Sequence, residues 1–530
     1  AVWLLCLVRL RPLSCDPMAP AAARAVWFRA DLRLDDNPAL QAALKGASAL
    51  LPVYVFDPKK FNTPTMAGCR KSSARRARFL IESVACLRKR LEAVGSGLAV
   101  VVGKCDQVLP EMCAGMEGIW CQEGFCSEEQ TEEVRVAKHA KGCQLHRVWG
   151  GTLYLPEECG CKANDVPLLF TSFKNKAESR GCIRDPSQAP KKMPPLPELK
   201  SADALTYMPT LQDLGYPEDE AKAAAEHDPR GVLPFQGGED AARQRLQKWM
   251  FEDDKLREYF EIRNGMMGDS YSSKLSPWLA LGCISPRRIW KEAQRYEAER
   301  VKNKSTYWLI FELEWRDFFV FMARSQGDNI FIPGGVTGDK TPWKKDPAAL
   351  QKWKDGKTGD PLVDANMREL LATGFMSNRG RQNVASYLIF DLGVDWRHGG
   401  AHFEEHLLDY DPASNWGNWV AAAGLTGQRI NRFNTRKQLS DYDPQRKYVR
   451  HWLGAAAGGG PATAPTVESG NSGSKGYGKA EGKGYGKGDG KGKGGYSGSS
   501  KGGAKGDAGL ANRKQSRWRK TELPSEALGA

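Results

Sequence analysis

Short apolar runs alternate with longer amphipathic stretches from residue 25 to residue 150. The apolar runs fall at 25–28, 49–56, 98–102, 118–121 and 145–149, and helix-forming stretches separate them at 38–45, 70–94, 107–116 and 127–141. Strands spaced by helices predict βαβ units and a parallel sheet buried on both faces. Residues 25–150 are therefore expected to form a Rossmann-like α/β domain, with any ligand at the carboxyl ends of its strands. Residues 151–238 are rich in Pro and Gly, lack a clear period, and read as a connector. Strand signals nearly vanish from 239 to 453, which predicts an all-α second domain. There Ser276-Pro277 and Ser285-Pro286 each place a capping hydroxyl before a Pro at the first helical position. Residues 454–530, built on Gly-Lys-Gly-Tyr repeats around Tyr477 and Tyr485, hold little to bury and are expected to be disordered.

Composition narrows the class. A chain of 530 residues with 41% hydrophobic content and 16 Trp can bury large cores, which excludes a wholly disordered or collagen-like protein. No uncharged apolar stretch reaches the roughly 18 residues of a membrane span, so no membrane association is expected. Half of the net charge of +14 lies beyond residue 454. That basic excess, with Tyr477, Tyr485, Tyr496 and Trp518 as stacking faces, suits single-stranded nucleic acid, RNA included; the alternative is a solubilising tail. The 13 Cys are scattered rather than framing a small fold, and point to a reducing compartment. Residues 1–24 are Arg-bearing and poor in acids, like a transit peptide, although Met18 is a possible internal start. A transit role implies chloroplast or mitochondrion; otherwise nucleus or cytoplasm is expected. A monomer is expected.

Several constellations carry chemistry. His402-Phe-Glu-Glu-His406 has the spacing of an inverted zinc-peptidase motif, but a five-residue pattern arises easily by chance, and no metal site is expected. The charged run from Asp31 to Asn37 follows the first strand, where it would meet a ligand or the neighbouring domain. Tyr271, Ser272, Ser273, Lys274, Leu275 and Ser276 set hydroxyls and an ammonium just before a helix start, a suitable place for phosphate. Trp308, Trp315, Trp343, Trp353, Trp396, Trp416 and Trp419 exceed what packing requires and suggest a conjugated ligand or electron hopping.

Residues 307–322 (YWLIFELEWRDFFVFM), 374–382 (GFMSNRGRQ), 409–419 (DYDPASNWGNW) and 26–40 (VWFRADLRLDDNPAL) resemble the photolyase/cryptochrome flavoproteins, and the cryptochrome DASH branch in particular. The resemblance spans residues 25–453 and implies an FAD-binding helical domain. It assigns FAD contacts to Tyr259, Ser272, Ser273, Lys274, Leu275, Ser276, Arg316, Arg381, Asp409, Asp411 and Asn415. Arg381 and Asp409 would pair beside the flavin, and the Asn415 amide would tolerate an anionic reduced flavin. Trp419, Trp396 and Trp343 match the proximal, middle and surface members of a photoreducing chain, with Trp353 off the path. Glu312, Trp315, Asn378 and Arg379 would line the pocket for a flipped pyrimidine dimer, with Arg263 and Gln382 also on the DNA side. Catalytic work thus falls to Trp419, Trp396, Trp343, Glu312, Asn378 and Asn415. A methenyltetrahydrofolate antenna would use Glu123, or Glu128 as second choice.

One departure bears on activity. The DASH branch has Tyr two residues after the proximal Trp, whereas Ala421 stands here, and the stretch 424–434 is short. The expected function is a deoxyribodipyrimidine photolyase acting preferentially on single-stranded DNA. The alternative is a blue-light photoreceptor with a nucleic-acid-binding tail and little or no repair.

Overall fold

A computed structural model describes residues 23–161, 165–180, 182–199, 201–340, 342–427 and 430–455. The expectations placed on 1–22 and on the tail beyond 455 lie outside these residues. Five strands, β1 (Ala23–Phe28), β2 (Ala49–Phe56), β3 (Ala99–Val102), β4 (Gly118–Gln122) and β5 (Gln144–Val148), form one parallel sheet in the order β3-β2-β1-β4-β5. The register places Ala23 beside Ala49 and Trp27 beside Cys121. Successive side chains point to opposite faces. Val26 and Phe28 therefore join one core, while Ala25 and Trp27 join another. The first core runs on without a break into the helical domain, through Trp278, Phe318 and Trp353.

The run from Asp31 to Asn37 serves the domain boundary. Asp36 takes two guanidinium N–H groups from Arg287 and the Ser285 hydroxyl, and Arg288 grips Asp35 through two bonds of 2.8 Å. Arg33 donates to the Gly282 carbonyl at 2.8 Å, and Glu239 accepts from the Leu34 N–H at 2.8 Å. Gly282 has φ +64°, and a Cβ there would lie 2.1 Å from the Ala30 carbonyl oxygen, so only glycine admits this approach. Buried ion pairs add little net stability over an apolar contact, but removing one partner is costly. They fix how the two domains meet.

The connector contains the helices Phe170–Arg180, Asp203–Thr206 and Glu218–Ala225. Its start is tied to the longest helix among the described residues, Lys304–Gln326, where Asp317 accepts from the Leu153 and Tyr154 N–H groups and Tyr154 Oη donates to Glu314. Burial raises both carboxyls to about 7. Asn303 caps that helix, accepting from Ser305 and Thr306 N–H. Ser285 caps its helix as expected. Ser276 does not: it is the first residue of the five-residue helix Ser276–Ala280, whose cap position is Leu275, and no side-chain cap bond forms. No helix among the described residues is long and apolar enough to cross a membrane.

Candidate functional site

Three helices of the second domain surround about 710 Å³ of atom-free space continuous with solvent. Asn378, Arg381, Gln382 and Ala385 come from the helix Asn378–Ser386; Phe403 and Leu407 come from the end of Trp396–His406 and the residue after it. Asp409 and Tyr410 follow, and the helix Pro412–Ala422 supplies Ser414, Asn415, Asn418, Trp419 and Ala422. Local sequence sets this last helix: Asp411 caps it, accepting from Ser414 N–H at 2.7 Å, and Pro412 starts it. Asn415, Asn418, Trp419 and Ala422 then recur at helical spacing on the cavity face.

Inside the cavity Arg381 Nη2 donates to Asp409 Oδ2 at 2.7 Å, and Arg381 Nε donates to the Met376 carbonyl at 3.0 Å. The other carboxylate oxygen of Asp409 is buried with no protein partner. Asn415 Nδ2 donates to the Gly400 carbonyl at 3.1 Å, which fixes the amide plane. Tyr259 and residues 272–276 do not line this cavity. Lys274 has φ +55° and is buried; its ammonium stands 3.3 Å from the Tyr271 ring centroid without a hydrogen-bond partner. Burial, then repulsion from Arg245, holds its pKa well below the usual lysine range. Arg245 organises the loop by donating to the carbonyls of Ser273 (2.8 Å), Ser272 (3.1 Å) and Asp269 (2.6 Å). Sequence reasoning missed this residue, because nothing local ties it to a loop more than twenty positions away. Tyr259 is buried with its ring edge-on to Trp249. Orphaned buried polar atoms are costly. The Asp409 oxygen fits an N–H donor brought into the cavity, and the Lys274 amine and Tyr271 hydroxyl, outside its lining, fit phosphate oxygens.

Trp419 forms part of the cavity wall, in ring contact with Phe403 at 5.1 Å and Trp353 at 6.3 Å. Trp396 is fully buried, and Trp343 is partly exposed. Trp353, expected off the path, lies directly against Trp419 and donates its indole N–H to the Val384 carbonyl at 3.0 Å. Glu312, Trp315 and Arg379 do not line this cavity; Glu312 accepts from Trp308 Nε1 (3.0 Å) and Arg263 Nη1 (3.4 Å), and burial raises its pKa. Trp315 stacks on Phe170 at 3.7 Å, which covers one indole face. Arg379 donates to Asn264 (2.8 Å) and Gln382 (3.0 Å) and lies 4.4 Å over the Tyr442 ring. Burial first, then the nearby Arg263, lowers its pKa. Asn264 and Tyr442 carried no local signal.

Arg316 and Asp411 do not line this cavity. Both face a second one, between the domains at the carboxyl ends of the strands, with Arg29, Lys60, Gln122, Glu123 and Phe125. The reason is that Arg316 is drawn to the Gly151 carbonyl and Asp411 is held as a helix cap. Glu123 pairs there with Arg324, and burial raises its pKa. Glu128 lies outside: it is exposed and pairs with Lys71. His402 comes within 4.8 Å of Cys69 and Glu405, but Arg70 occupies Glu405 through bonds of 3.1 and 3.2 Å.

Residues 24–196 match the DNA photolyase family, and residues 308–485 match the FAD binding domain of DNA photolyase. A chloroplastic/mitochondrial cryptochrome DASH of Ostreococcus tauri is 47% identical over 457 residues, covering 81% of this chain and 83% of the relative. The crystal structure of a Synechocystis sp. cryptochrome is similar with a TM-score of 0.77 at 44% identity, covering 83% of this chain and 92% of the other. An archaeal photolyase from Sulfolobus tokodaii, solved with two FAD molecules, gives a TM-score of 0.64 at 26% identity over 81% of this chain and 90% of its own.

Proposed function

Because this chain belongs to the photolyase/cryptochrome family, on its cryptochrome DASH branch, we propose that it repairs cyclobutane pyrimidine dimers in blue light, preferentially in single-stranded DNA. FAD, when bound and light-excited in its reduced form, supplies the electron chemistry that opens such a dimer. The chain's residues do the rest. Arg381 and Asp409 hold one another at the cavity wall, leaving the second Asp409 oxygen to accept from the ligand. Lys274 presents a buried amine that a bound phosphate would draw into its charged form. Asn415, an amide fixed by Gly400, adds no negative charge of its own to the cavity.

On the substrate side Asn378 and Gln382 offer amides from the cavity wall, and the family resemblance adds the Glu312 carboxyl, which lies outside that lining. Flipping a base out of a stack costs least in a single strand, which favours that substrate for a pocket lacking an aromatic at Ala421. The interdomain cavity, with Glu123 on its wall, is the proposed seat of a methenyltetrahydrofolate antenna. The observation that carries the reading is the Arg381–Asp409 pair, with its unpaired oxygen, in a cavity walled by Trp419. Ala421 favours a second reading, a photoreceptor that photoreduces flavin without repair. Illumination with a dimer-bearing oligothymidine separates the two, and Ala421→Tyr serves as the internal comparison.

A further inference from the structure

Two tryptophans of one helix stand at the flavin cavity in different ways: Trp419 lines it, and Trp416 meets its lining through Tyr410. Trp416 and Trp419 stand one turn apart on the helix Pro412–Ala422 and both lean on the helix Trp396–His406. A Cβ at Gly399 would lie 2.1 Å from the Trp419 ring, and a Cβ at Gly400 would lie 2.9 Å from the Trp416 ring. Glycine inside a helix is unfavourable relative to alanine. Here each one seats an indole.

The two indoles differ in their neighbours. Trp419 touches Phe403 and Trp353, whereas Trp416 is the indole in edge-on contact with Trp396, at 6.0 Å and 74°. Trp416 Nε1 donates to Tyr410 Oη at 3.3 Å, and Tyr410 lines the cavity. Phe331, the other ring against Trp416, is too hard to oxidise to compete. Tyr410 is itself a poor stopping point. The Arg76 guanidinium lies 4.5 Å over its ring and opposes positive charge there, and burial resists loss of the phenol proton.

We infer that Trp416 is a second electron donor to the flavin, acting beside Trp419 and refilled by Trp396, the indole it touches. This rests on the flavin reading above. Trp416 gives one electron to the light-excited flavin and becomes a radical cation. Trp396 refills it, Trp343 refills Trp396, and a thiol in solution supplies the electron to Trp343. One electron moves from thiol to flavin, and no bond within the protein is broken.

The test uses the full-length, flavin-loaded protein under blue light with a thiol donor, comparing Trp396→Phe, Trp419→Phe, Trp416→Phe and the Trp416→Phe/Trp419→Phe double variant. Trp419→Phe should retain at least a tenth of the wild-type photoreduction rate, and the double variant should fall a further tenfold, to the Trp396→Phe level. A rate for Trp419→Phe no higher than for Trp396→Phe overturns the inference, as does a double variant no slower than Trp419→Phe alone. Should Trp416→Phe fail to fold, peptide mass mapping of illuminated Trp419→Phe decides. Light-dependent oxidation at Trp416 is expected, and its absence overturns the proposal. Failure of the wild type to photoreduce at all would instead reject the flavin reading.

Discussion

Trp396 and Trp343 donate their indole N–H groups to a single acceptor, the carbonyl of Pro333, at 3.2 and 3.4 Å. Their ring nitrogens are therefore no farther apart than the sum of those two distances. The shared carbonyl also stabilises positive charge on whichever indole is oxidised. Trp396→Phe breaks the link between the buried indoles and partly exposed Trp343. Photoreduction with an external donor should fall at least tenfold while FAD content stays unchanged; equal kinetics in that variant would remove Trp396 from the chain.

The Arg381–Asp409 pair predicts flavin retention. Removing one partner of a fully buried pair costs about 3–5 kcal/mol. Arg381 keeps 27% of its side chain exposed, so the loss here should be smaller, about 1–3 kcal/mol. Asp409→Ala should purify with little FAD and melt earlier than the wild type, and Asp409→Asn should be milder. A fully yellow, equally stable Asp409→Ala protein would show that the pair does not hold the cofactor.

Glu369 makes stability depend on pH. Tyr448 Oη lies 2.6 Å from Glu369 Oε2 and 3.0 Å from Asn366 Oδ1, and one hydroxyl proton cannot serve two acceptors. Burial raises the Glu369 pKa to about 8 from an ordinary value of 4.5, and a protonated carboxyl would leave the Tyr448 hydroxyl proton for Asn366. An acid whose folded pKa is raised stabilises the fold fully below about 4.5, and that contribution is lost as pH rises through about 8. A tenfold difference in proton affinity between the folded and unfolded chains is worth about 1.4 kcal/mol. Glu369→Gln cannot titrate, so the melting temperatures of wild type and variant should diverge between pH 5 and 8, the wild type falling more steeply. Parallel profiles would mean Glu369 is ionised throughout.

Deleting residues 456–530 removes half of the net positive charge and the aromatics Tyr477, Tyr485, Tyr496 and Trp518. Flavin content and photoreduction should be unaffected. Binding of single-stranded DNA and RNA should weaken without regard to sequence, with a shallower salt dependence because fewer counterions are released. Equal affinities at two salt concentrations, with lower solubility, would leave the tail a solubilising role.

The parallel sheet was legible because alternating strands and helices state it directly. The charges from Asp31 to Asn37 were legible as well, but their role as a domain clamp depends on Arg287 and Arg288, some 250 positions away. Asp409, Asn415 and Trp419 could be grouped because one helix face collects the last two and the turn before it supplies the first. Arg316 and Asp411 face the interdomain cavity, their direction set by the Gly151 carbonyl and by helix capping, neither of which is visible in residue spacing. The Gly399-Gly400 step looks like a helix defect until the two indoles above it are seen.

Light-dependent repair by the wild-type protein tests the central claim most directly. Flavin-reduced protein is illuminated with oligothymidine carrying cyclobutane dimers, single- or double-stranded, and recovery of base absorbance is followed against a dark control. The predicted result is light-dependent recovery, faster on the single strand. Ala421→Tyr should improve it by no more than one stacking contact, about 1–3 kcal/mol. No recovery on either substrate, with Ala421→Tyr equally inert and flavin photoreduction intact, would contradict repair and leave the photoreceptor reading.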